Sequence, residues 1–239
     1  MENWIKSLER IPNSRIIIGD NYHSTQEFSN CMLSVGNDYH KCTLEGHINS
    51  DASGFMECLK ALGSNFENDD LIWFAHTKGF SHDINRINLF FEYYNDKWFR
   101  FYDVISERFI NNNNLGLLCE RVAISNYGEH IINSYKLKEL LHLRYPPLGF
   151  YALNTFYVMR GSVVKFLFNN ESILFKYPNI VDCLGFNRWF FEANVPEVAW
   201  MSGFDVDAFR SSPDYQAFMD FKSASIFSQK AEMVPGGYK

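Results

Sequence analysis

Short apolar runs alternate along this chain with segments of helical period, and several of the runs end abruptly in polar residues. The clearest is Leu71-Ile72-Trp73-Phe74-Ala75, preceded by Asp69-Asp70 and followed at once by His76-Thr77-Lys78-Gly79. An apolar run this short, bounded in this way, predicts a covered strand rather than a helix. Ligands in open sheets of parallel strands sit outside the carboxyl ends, so His76, Thr77 and Lys78 become functional candidates.

The same reading covers the rest of the chain. Residues 15–19 predict a first covered strand with Asp20-Asn21 in a loop at its carboxyl end, and residues 31–35 and 39–44 offer two more strands. Asn49-Ser50-Asp51 supply N-caps for a helix with Phe55, Met56, Leu59 and Leu62 on one face and a stop near Gly63. Beyond the His-Thr-Lys-Gly turn a helical pattern, continuous or broken in two, runs from about residue 84 to 110 and ends at Asn111 to Asn114. Its aromatics occupy more than one stripe, which predicts cover on most sides or a partner. Residues 115–119 predict another covered strand, and 136–144 a short helix with a basic face, broken by Pro146-Pro147. Residues 150–159 alternate poorly but are rich in strand formers; Arg160-Gly161-Ser162 then turns the chain into a helix at 163–168. Residues 187–192 lie on a further helix, and an amphipathic tail over 213–230 ends in Pro235-Gly236-Gly237. The expected fold class is α/β: one domain over residues 1–239, with a central, mostly parallel sheet flanked by helices and a less regular second half.

Composition narrows the class. With 239 residues the chain can bury a sizeable core without disulfides or metal. Aromatic residues make up 17 %, enough for a large core and for a platform on which rings stack. The net charge of -6 gives no general attraction to nucleic acid or anionic membrane. Lys136, Lys138, His142 and Arg144 still form a local basic group. Cys31, Cys42, Cys58, Cys119 and Cys183 are odd in number and widely spaced, so they predict reduced thiols rather than a disulfide framework or zinc site. No run approaches the length of a membrane span and the first residues lack a signal core, so a cytoplasmic protein is expected.

Candidate chemistry then follows from spacing. In extended backbone His76 and Lys78 point to the same side, where ammonium and imidazole together suit a phosphate and Gly79 permits close backbone approach. The plain alternative is a solvated strand end. Arg188 and Glu192 are four apart on the predicted helix and share a face, either as an ordinary ion pair or as working groups. Asp20, Asn21, Asn49 and Asp51 suit a nucleotide, and equally suit caps and loops.

The order Asn49-Ser50-Asp51, a helix through Leu62, Asp69-Asp70, and a strand ending in His76-Thr77-Lys78-Gly79 resembles the nucleotide-sugar half of GT-A glycosyltransferases. More narrowly it is similar to glycosyltransferase-like proteins that include rhamnan-synthesis relatives, whose strand ends in His-Thr-Lys or a close variant. Ordinary GT-A enzymes carry Asp-x-Asp there, holding a divalent metal on the donor diphosphate; this chain lacks that acidic pair. The resemblance, over roughly residues 15 to 195, implies a GT-A-like, Rossmann-like domain with a nucleotide-sugar half over 1–120 and an acceptor-side half over 121–212. A C-terminal helix and tail occupy 213–239. It implies a nucleotide-sugar donor whose diphosphate meets His76, Thr77, Lys78 and Arg188, and a nucleotide held by Asp20, Asn21, Asn49 and Asp51. Mg2+ or Mn2+ would be compatible but not essential, since Lys78 and His76 supply the neutralising charge. Asn154 and Tyr157 fall in the segment that resembles the acceptor side, although Leu153 stands where the family has Gly. Glu192 takes the role of base toward the acceptor hydroxyl, with Asp182 competing for it.

The expected acceptor is a glycan or, given a residue bias shared with AT-rich bacteriophage genes, a hydroxymethylated base of DNA. A second reading is a non-catalytic carbohydrate- or protein-binding module presenting exposed aromatics from residues 90–102. A third, a phosphohydrolase or nucleotidyltransferase using His76 as nucleophile, lacks an acidic metal cluster beside the turn.

Overall fold

The computed structural model describes residues 16–20, 39–43, 62–63, 65–74, 101–120, 122–124, 128–152, 157–170 and 190–209. Strands β1 (Ile16–Asp20) and β2 (Tyr39–Thr43) pair in parallel, with Asp20 opposite Thr43. Strand β3 (Leu71–Phe74) is followed by helix α1 (Tyr102–Asn111), β4 (Leu115–Cys119), β5 (Val122–Ile124) and α2 (Gly128–Leu140). Then come β6 (Phe150–Ala152), β7 (Tyr157–Arg160), α3 (Gly161–Asn169), α4 (Phe190–Met201) and β8 (Asp205–Ala208). This mixture of strands and helices fits the expected α/β class. No described helix is long and apolar enough to cross a membrane.

A four-stranded sheet in the order β3-β7-β4-β8 organises the core. Its two middle strands are buried along their whole length, as Leu-Gly-Leu-Leu-Cys and Tyr-Val-Met-Arg suggest. Ile105 and Phe109 of α1 pack with Leu115, Leu118 and Val158 on one face of the sheet. On the other face Leu117, Cys119, Tyr157 and Met159 join Val163, Val164 and Leu167 of α3 and Val195, Val198 and Trp200 of α4. Helices therefore cover both faces. Burial of side chains of this size stabilises the fold by about 1.5–3 kcal/mol each. Strands β3 and β4 come from before residue 120 and β7 and β8 from after it, so one sheet is woven from both halves of the chain.

The sheet is mixed, which corrects the expectation of a mostly parallel one. Strand β7 is antiparallel to both β3 and β4, while β4 and β8 are parallel. A continuous apolar run reports burial on both faces and says nothing of direction, which is why β4 and β7 misled. Strand β8 was not expected at all: Asp-Val-Asp-Ala buries Val206 and Ala208 but leaves both aspartates half-buried, the pattern of an outer strand.

Residues 150–159 form two strands, not one. Strand β6 pairs with β5 and β7 with the central sheet, so the poor alternation marked a change of partner. Helix α2 starts eight residues earlier than predicted and stops at Leu140, six residues before the prolines. His142, at φ 50, takes the left-handed cap position. The N–H of Leu143 donates to Lys138 O at 2.9 Å and that of His142 to Glu139 O at 3.3 Å, the paired bonds that close a helix end. Leu62 is helical and Gly63 has φ 60, matching the predicted stop there; the body of that helix, the strand at 31–35, residues 84–100 and the tail lie outside the described residues.

Helix α3 begins at Gly161, where any Cβ would collide with the carbonyl oxygen of Glu67, so this close approach requires glycine. Its first N–H groups are taken by the loop before β3: Gly161 donates to Asp70 O at 2.7 Å and Ser162 to Asn68 O at 2.9 Å. Arg160 joins this corner to α1. Nε donates to Leu115 O at 3.0 Å, the guanidinium reaches Phe109 O at 2.8 Å and Asn112 O at 3.2 Å, and Asp69 accepts at 3.0 Å. Carbonyls at a helix end lack intrahelical donors, so a buried cation there satisfies them and the dipole together.

Candidate functional site

Reversal of β7 leaves β3, β4 and β8 pointing the same way, so their carboxyl ends share one edge of the sheet. Across that edge runs the row Phe74, Tyr157, Cys119, Ala208, each the register partner of the next. Phe74 stacks on Tyr157 with ring centroids 5.8 Å apart. The ladder continues one step further, since Phe209 N–H donates to Cys119 O at 2.8 Å. Beside β8, Arg108 of α1 donates to Asp207 at 3.3 Å and to Ala208 O at 3.1 Å, and lies 5.3 Å over the Phe209 ring. Asp207 also accepts from the Ala208 N–H at 2.8 Å, so its carboxylate serves to fasten the outer strand.

Glu120 follows β4 directly and is only 6 % exposed. Another acidic residue, Glu197 of α4, is sealed at 0 % exposure, and its two oxygens accept the Leu148 N–H at 3.2 and 3.0 Å. One turn on, Trp200 Nε1 donates to Pro146 O at 2.9 Å. Glu197 and Trp200 thus pin the loop around Pro146-Pro147 to α4, and Glu197 has a structural occupation.

Helix α4 ends three residues short of β8, at the strand's amino end, and packs on β4, β6 and β8. Its 12 residues span about 18 Å. Glu192 belongs to its first turn, at the other end of the helix from the β8 connection. Asp20 is the last residue of β1 rather than a loop residue. Tyr157 is fully buried against Phe74, in the core. His76, Thr77, Lys78, Asn21, Asn49, Asp51, Asn154, Asp182 and Arg188 lie outside the described residues. Of the basic group, Lys138 is tied to Leu143 O at 3.0 Å, whereas Lys136, His142 and Arg144 are exposed.

Sequence reasoning passed over Glu120. The signal was available: the rule that singled out His76, a polar residue directly after a covered strand, applies equally to Leu-Leu-Cys-Glu. Glu197 carried no such mark, sitting within an apolar helix after Pro196. Among the described residues no group of three or more His, Cys, Asp or Glu side chains could hold a metal ion.

No family model, curated protein or solved structure matches the chain. The site therefore stands on its own geometry.

Proposed function

We propose that the chain is a sugar-nucleotide-dependent glycosyltransferase of GT-A type. The observation that supports this most is the register of β3 against β7, in which Phe74 faces Tyr157. His76 to Lys78 follow Phe74 by two to four residues, and Asn154 precedes Tyr157 by three. The diphosphate-binding and acceptor-side segments, far apart in sequence, thus start from neighbouring strand ends about 4.8 Å apart. Glu192 lies in the first turn of α4, the end of that helix away from the amino end of β8, which is compatible with reach to the same edge. Convergence of segments at the carboxyl edge of a sheet is how such folds build ligand sites.

The chemistry requires three tasks. The acceptor oxygen bonds to the anomeric carbon as the bond from that carbon to the diphosphate breaks, and the diphosphate leaves with the electron pair. Lys78 and His76, with Arg188, stabilise the charge that develops on it. The acceptor proton passes to Glu192, or to Asp182 if that carboxylate is the one within reach. The acceptor is a glycan or a hydroxymethylated DNA base; only the DNA acceptor would lose affinity steeply as salt rises.

A thermal-shift screen against UDP, GDP, CMP and their sugars tests the reading. A donor at 100 times its Kd adds about 2.7 kcal/mol to native stability and raises Tm. If none of them moves Tm, the proposal fails. The binding-module alternative draws on exposed Phe101 and Val104, at 38 % and 45 %. Donor binding accompanied by slow hydrolysis would exclude it, since a module turns nothing over.

A further inference from the structure

We draw no further inference here: the strongest candidate, the apolar surface patch that Ile131, Ile132 and Tyr135 leave exposed on helix α2, carries nothing because nothing in the structure shows what covers it.

Discussion

Replacing Arg160, which is buried on a middle strand, should cost this fold more than removing any exposed charge among the described residues, and the reason lies in its partners. Only one of its four hydrogen bonds goes to a carboxylate, that of Asp69, whose side chain is 89 % exposed. An exposed partner of that kind contributes about 0–1 kcal/mol. The other three go to the carbonyls of Leu115, Phe109 and Asn112, and the guanidinium also lies 5.5 Å from the centroid of the Phe109 ring. Asn112 O already accepts the Leu115 N–H at 3.0 Å, so it would not be orphaned. Leu115 O and Phe109 O would lose charged donors worth about 1.5–3 kcal/mol each, and a cavity would open beneath α1. The expected loss for Arg160→Ala is about 3–6 kcal/mol. Lysine cannot fork to reach separate carbonyls, so Arg160→Lys should cost about 2 kcal/mol. Asp69→Asn should cost less than about 1 kcal/mol. Urea unfolding followed by tryptophan fluorescence measures all three, with unchanged m-values showing that stability alone has moved. If Asp69→Asn were as damaging as Arg160→Lys, the ion pair would be the main contribution and this reasoning would be refuted.

Two further outcomes are expected. Gly161→Ala sets a Cβ against the carbonyl oxygen of Glu67, a backbone atom that cannot swing aside, so it should lower stability by about 1–3 kcal/mol in the same urea assay. Lys78→Ala should weaken donor binding or turnover by ten-fold or more with Tm nearly unchanged; equal losses of both would return the His-Thr-Lys-Gly turn to a structural role.

Much of the local structure was legible because it is local. The runs at residues 16–20, 71–74 and 115–119 read as strands from apolar and β-branched content, 39–43 was offered as a further strand, and Arg160-Gly161 read as a turn into a helix. The errors share a cause. The left-handed cap at His142 that ends α2 is closed by backbone bonds to Lys138 and Glu139, and no residue type in Leu-His-Leu announces it. Strand β8 is short and half acidic, and it exists because β4 offers an unpaired side. Periodicity reports what a residue faces, not which strand lies beside it.

The same division holds at the candidate site. The sequence by itself singled out the candidate polar segments, among them the turn after β3, because a polar residue ending an apolar run is visible without neighbours. Only the tertiary structure decided that β7 runs against β3 and β4, and thus that these strand ends meet at one edge with Glu120 buried among them. Side-chain pattern fixes burial residue by residue, whereas strand direction and register in the central sheet are set by pairings between residues 38 to 90 positions apart, such as Phe74 with Tyr157 and Cys119 with Tyr157.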